Sequence, residues 1–187
     1  AISAMSPFSS SHKYAAQQDF DPISANFIGN WSVKSHWEVY AEETEKQGRV
    51  ADRERWRVAR NIHVADADAE AESHVKTIGE SADFYYEYLF KIFDRAQMKG
   101  PFVVNQGDNA DELSYEALRD NFVIAGSPET VIEKILAFRD EVGHFGTLLH
   151  TAQDWVHPES MKRSMELLAK EVMPKLNSAL GAQSAAE

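Results

Sequence analysis

Cysteine is absent from the 187 residues, so the chain carries neither a disulfide framework nor thiol chemistry. Positive charge is scarce: 19 lysines and arginines stand against 30 aspartates and glutamates, a formal net charge of −11. Nucleic-acid binding needs a basic face that releases counterions, and this balance argues against it. No apolar run approaches the roughly 20 residues of a membrane-spanning helix. The seven histidines fall into no HxH or HExxH spacing, so no metal site is expected. A glycine-rich phosphate loop of either nucleotide type is also missing. Residues 1–10 show neither the charged start nor the apolar core of a secretory signal, and a cytoplasmic setting is expected.

What is present is a globular composition, 43% hydrophobic and 11% aromatic, over a length that can bury a core. The most informative stretch runs from Phe122 to Trp155. Ser127 reads as an N-cap, Pro128 as the first helical residue and Glu129 as first-turn acid. Val131, Ile132, Ile135, Leu136 and Val142 recur at helical spacing, and Gly143 stops the helix. Phe145 to His150 then reads as a short apolar strand of the kind found in parallel sheets. It leads into the polar and aromatic run Thr151 to Trp155. Polar clusters just past C-terminal strand ends are where β/α proteins keep their chemistry.

The rest of the chain repeats this step. Strands are expected over 1–5, 23–28 and 55–65. Helices are expected from the Ser9-Ser10-Ser11 run to about Gln18, and from Trp31 to Gln47 with Val33, Trp37, Tyr40 and Ala41 inward. Asp66 or Asp68 is expected to cap an alanine- and glutamate-rich helix. An aromatic helix follows from Ser81 to about Gln97, then a connection over 99–121 with one short helix at Tyr115–Arg119. A final helix runs from Glu159 to about Leu176, with Met161, Met165, Leu168 and Val172 in register. The third strand alternates, with Trp56, Val58, Ile62 and Val64 on one face and Arg57, Ala59, Asn61 and His63 on the other.

The order GSPETVIEKILAFRDEVG, then FGTLL, Asp154-Trp155, Pro158-Glu159, Ser164-Met165-Glu166-Leu167-Leu168 and Glu171-Val172-Met173-Pro174 resembles the C-terminal end of the bacterial luciferase-like flavin monooxygenases. That resemblance implies an α/β fold, the C-terminal half of a (β/α)8 TIM-type barrel, with four β/α units and an inserted helical excursion at about 79–121. Four units are half of a barrel that takes ~250 residues. Residues 1–177 would form the half-barrel and 178–187 a flexible tail. The chain opens at Ala1 in an apolar run, and a piece of a longer polypeptide is expected. Its open strand edges would be covered by the N-terminal half of the barrel or by a second chain, as in a homo-oligomer.

The resemblance also implies FMN, O2, a separate flavin reductase and oxygenation of a small hydrophobic substrate. Alternatives are a non-catalytic flavin-binding or dimerisation module and an F420-dependent oxidoreductase on the same fold. Independently of family, the turn Ser6-Pro7-Phe8-Ser9-Ser10-Ser11 follows a strand and opens a helix, which makes an anion site. The resemblance places the FMN phosphate there, before Tyr14-Ala15-Ala16, on Ser6, Ser10 and Ser11. Family members often carry an acid before the first serine. This chain has Met5, which leaves a backbone contact.

Ser24 and Asn26 alternate with Ile23, Ala25 and Phe27 and are expected to share a face, where they would meet the flavin ring's polar edge or form an internal polar pair. His63, nearest the end of its strand, is a candidate general acid or base or a hydrogen-bonded interior histidine. His150, with Gln153, Asp154 and Trp155, is a candidate substrate contact, and Asp154 a candidate cap for the last helix. No serine or cysteine stands at a nucleophile elbow beside His150, so hydrolase chemistry lacks support. The aromatic stretch 84–93 reads either as a lid or as a helix packed on the barrel's side.

Overall fold

Strand β3 (Arg57–Val64) is the centre of the molecule, and every strand but one pairs with it. The computed structural model describes residues 1–152 and 156–184. In chain order come β1 (Ile2–Ala4), α1 (Ser10–Gln17), β2 (Pro22–Ser24), α2 (Asn30–Lys46), β3, α3 (Asp68–Lys76), α4 (Ser81–Arg95), α5 (Tyr115–Phe122), β4 (Val123–Gly126), α6 (Pro128–Val142), β5 (Thr147–Thr151), α7 (Pro158–Leu167) and α8 (Met173–Ser184). All pairings are parallel. β2 and β5 flank the first half of β3, and β4 pairs with its second half from Asn61 to Val64. Among the described residues β1 bonds to β2 alone and β5 to β3 alone, so the sheet is open.

Among the described residues the sheet has five strands, not the four expected. The extra one is β4, which reads in sequence as a four-residue lead into a helix start; only its pairing with β3 defines it. The helix after it is built as its residues dictate. Ser127 accepts from the Thr130 amide, Pro128 is the first residue, and Gly143 ends the helix at φ 91°, a conformation glycine adopts without strain. Gly146 is required for a different reason: a Cβ there would sit 2.0 Å from the carbonyl oxygen of Glu54.

The even-numbered face of β3 meets α2 and α6. Trp56 packs 5.5 Å from Trp37, and Arg60 lies over Phe138. The main core gathers around Trp56, Tyr40, Ile28, Tyr86, Phe102 and Phe122. A second core joins Ile62, Val64 and Ile124 to Val131, Ile135, Leu167 and Val172.

Several details of these elements differ from the sequence reading. α3 is preceded by Ala67 without a side-chain cap; Asp68 instead accepts from the Ser127 amide (2.6 Å) and the Thr130 hydroxyl (3.1 Å), and so caps α6. Asp66 pairs with Arg163 of α7. The last helix buries Ser164, Leu167 and Val172, leaving Met165 exposed. Ser164 accepts from the Val64 amide (2.8 Å), and a π-helical turn over Leu168–Val172 keeps residues five apart on one face. Helix α8 runs on to Ser184, so most of the small-residue tail is helical, as its alanines favour.

Candidate functional site

The serine turn sits at the C-terminal end of β1 and opens α1. Ser9 is the N-cap: it is buried, and its hydroxyl accepts from the Ser11 amide (3.1 Å). Ser6, Ser10, Ser11 and Lys13 are exposed, and Met5 is half-buried against the core. No acidic residue occupies the first turn of α1. The amides of Ser11, His12 and Lys13 are taken by the Ser9 hydroxyl and carbonyl, so exposed hydroxyls, the positive end of the helix and one lysine, without a carboxylate among them, are the donor set that fits a phosphate.

The ring-binding expectation needs correction. β2 ends at Ser24, and the chain turns there, so Ser24 and Asn26 face opposite ways. Ser24 is fully buried towards α2, with its hydroxyl between His36 Nδ1 and Trp56 Nε1 at 3.0 Å each. Asn26 faces the other side of the sheet. Its Nδ2 donates to Asn61 Oδ1 (2.6 Å), Asn61 Nδ2 donates to the Tyr86 hydroxyl (3.3 Å), and Thr151 also donates to Asn61 Oδ1. Tyr86 belongs to α4, which therefore covers this polar cluster. Phe93, further along α4, stacks on Phe102 at 4.0 Å and approaches Phe27 at 5.9 Å. The aromatic helix lies on the sheet face opposite α2 and α6.

His63 lies on the Asn61 face, buried, with its ring stacked on His74 at 3.9 Å and 7°. Asn61, His63, His74, Ser81, Thr151 and Met161 line a cavity of about 30 Å³. That is room for about one water, not for a flavin ring. His150 pairs in register with Arg60, so it points to the opposite face from Asn61 and His63. Among the described residues neither of its ring nitrogens has a hydrogen-bond partner, and burial lowers its pKa. The two candidate catalytic histidines are thus separated by the sheet. Gln153, Asp154 and Trp155 lie outside the described residues.

Several polar residues at the site escaped the sequence reading. Arg60 falls on the apolar face of β3, which was its only signal. It is buried and donates to the carbonyls of Ala25 (3.2 Å), Ala59 (3.1 Å) and Ile28 (3.3 Å) and to Asn30 Oδ1 (2.9 Å). Burial lowers its pKa to about 10. It pins the loop that carries Asn26. His12 and His36 are buried beneath the serine turn, edge to face at 4.6 Å. Among the described residues no cluster of three His, Cys, Asp or Glu is arranged to hold a metal, and no helix is long and apolar enough to cross a membrane.

No protein-family model matches the chain. The chain is 36% identical over 177 residues to 3,6-diketocamphane 1,6-monooxygenase of Pseudomonas putida, covering 94% of this chain and 46% of that protein. The solved oxygenating constituent of the P. putida 3,6-diketocamphane monooxygenase, a type II Baeyer–Villiger monooxygenase in complex with FMN, superposes with a TM-score of 0.79 at 35% identity, over 94% of this chain and 48% of that one. The coenzyme F420-dependent tetrahydromethanopterin reductase of Methanopyrus kandleri shares the fold alone, with a TM-score of 0.58 at 18% identity over 93% of this chain and 50% of that one. The chain spans about half the length of the relatives it matches. Over that half, the proteins it is related to are flavin monooxygenases of the luciferase-like kind.

Proposed function

We propose that these residues form the C-terminal half of a (β/α)8 flavin monooxygenase that binds FMN and oxygenates a small alicyclic ketone or a similar apolar substrate. The observation that carries this reading is the 35% identity and close superposition with a structure that holds FMN. Ser6, Ser10 and Ser11, with the backbone at Met5, would hold the phosphate. Asn26 and Asn61 would meet the ring's polar edge once α4 shifts. Ser24, bonded to Trp56 and His36, would act only indirectly. Reduced FMN, supplied by a separate reductase in a cytoplasmic setting, provides the electrons for O2 activation. The chain's own work is to bind, orient and exclude water. Covering Asn26, Asn61 and His63 with the aromatic helix α4 is a way to do the last of these, and His63 is then the group placed to hold or move a proton at the covered face.

The test is turnover. The 187-residue chain alone, given reduced FMN and a cyclic ketone, is expected to give no oxygenated product, because half of the pocket wall is contributed elsewhere. In sedimentation it is expected to self-associate, or to pair with the complementary half, through the β1 and β5 edges. A monodisperse monomer that oxygenates the ketone would overturn the half-barrel reading. Flavin absorbance of the protein, and activity with an added reductase, separate this reading from a non-catalytic flavin-binding module and from a deazaflavin enzyme.

A second test concerns α4. If it closes over flavin and substrate, limited proteolysis between Lys99 and Asn121 is expected to slow when both are bound. Cleavage at an unchanged rate would make α4 a fixed wall.

A further inference from the structure

Helix α2 reaches under the serine turn at two points. The Phe8 amide donates to Ser35 Oγ (3.0 Å), and His36 Nε2 donates to the Ser6 carbonyl (2.8 Å). Between these anchors Phe8 stands at φ 51°, a left-handed conformation that costs an aromatic residue energy and persists only when its surroundings impose it. Pro7 offers no amide of its own, so the Ser6 carbonyl is oriented from behind.

The His36 bond is the last step of a directed chain. An indole can only donate, so Trp56 Nε1 donates to Ser24 Oγ (3.0 Å). The Ser24 hydroxyl then has its proton for His36 Nδ1 (3.0 Å), which must accept. That leaves the proton of the neutral ring on Nε2, facing a carbonyl that can only accept. All three side chains are 0% exposed, which keeps water from the Trp56–Ser24 and Ser24–His36 links. Burial first, and then the neighbouring His12, push the His36 pKa down to about 3, so the ring stays neutral and keeps both roles.

We propose that His36 is a positioning residue for phosphate recognition: through the Trp56–Ser24–His36 chain it sets the backbone of the Ser6–Ser9 turn, and with it the direction of the amides and hydroxyls offered to the phosphate. This rests on the phosphate reading of the serine turn. It also gives Ser24 a part in flavin binding without contact.

The experiment compares FMN with riboflavin, which lacks the phosphate, on the chain joined to the proposed N-terminal half, and follows the Phe8–Ser11 amides by NMR. His36→Asn keeps a polar group near Ser24 but does not reach Ser6, and is expected to reduce the preference for FMN over riboflavin about tenfold, with shifted turn amides and faster exchange at Phe8. His36→Gln places an N–H near the Nε2 position and is expected to stay within about threefold of the parent. Ser35→Ala, a milder change, is expected to release the Phe8 amide and lower the FMN preference in the same direction. If the serine variants lose the preference while His36→Asn and Ser35→Ala keep it, with unmoved amides, the inference fails and the phosphate reading stands. If no variant, the serines included, alters the preference, both fail. Loss in His36→Asn with the serine hydroxyls silent supports positioning through the turn amides.

Discussion

Replacing Ser11 or Ser6 by alanine, in the chain joined to the N-terminal half proposed above, is expected to weaken FMN about tenfold or more while leaving riboflavin nearly unchanged. A phosphate carries close to two negative charges at neutral pH, and the chain's −11 gives it no long-range attraction. A local site must therefore supply the binding. Each charge-assisted hydrogen bond contributes on the order of 1.5–3 kcal/mol, and a factor of ten is 1.4 kcal/mol. Ser6 and Ser11 are exposed and are not the helix cap, so losing their hydroxyls leaves the fold intact. Ser9 is the contrast: as the buried cap, its alanine variant is expected to cost about 0.5–2 kcal/mol of stability. His63→Ala, on another part of the site, is expected to show no difference between FMN and riboflavin. Equal losses of FMN and riboflavin in the serine variants would place the phosphate elsewhere and reduce the turn to a helix start.

Removing Arg119 is expected to give the largest loss of stability, about 3–5 kcal/mol, because it strands a buried carboxylate. Asp83 on α4 and Arg119 on α5 form an ion pair with side chains only 2% and 8% exposed. Asp83 also accepts from the Gly79 amide (2.8 Å), and Arg119 also pairs with Asp120. The two ends are therefore unequal. Arg119→Met leaves Asp83 with a single amide donor, whereas Asp83→Asn leaves Arg119 its second carboxylate. The first variant should cost more than the second, and the double variant less than the sum of the two. At about 2–4 °C per kcal/mol for a chain of this size, Arg119→Met is expected to lower Tm by roughly 6–20 °C. A loss below about 1 kcal/mol in chemical denaturation would show that the pair does not hold α4 to α5.

The parts of the site that sequence reading placed are those made by neighbours in the chain. The Ser127 cap, Pro128 at the first helical position, the Gly143 stop and the opening of α1 in the serine run all depend on residues within about four positions of each other. The alternation of β3 separated Trp56 and Val58 from Asn61 and His63 for the same reason, since a strand's two faces are a local property. The aromatic density of α4 marked a lid or a side-packed helix without deciding between them, because a one-sided apolar pattern says that a face is buried and not against what.

The amino-acid order alone was enough for the class of the fold, its β-to-α rhythm, and the opening of a helix in the serine turn. What only the tertiary structure decided is which groups meet. Asp68 caps a helix that begins 60 residues later, β4 becomes a strand only beside β3, and Asn26 and Asn61 join under Tyr86. Ser24 turned away from the side that Asn26 faces, and His36, lost in the apolar stripe of α2, emerged behind the turn. The physical reason is the parallel sheet. Even consecutive strands are parallel and so joined only through a helical crossover, and a shift of one residue in register sends every side chain to the other face.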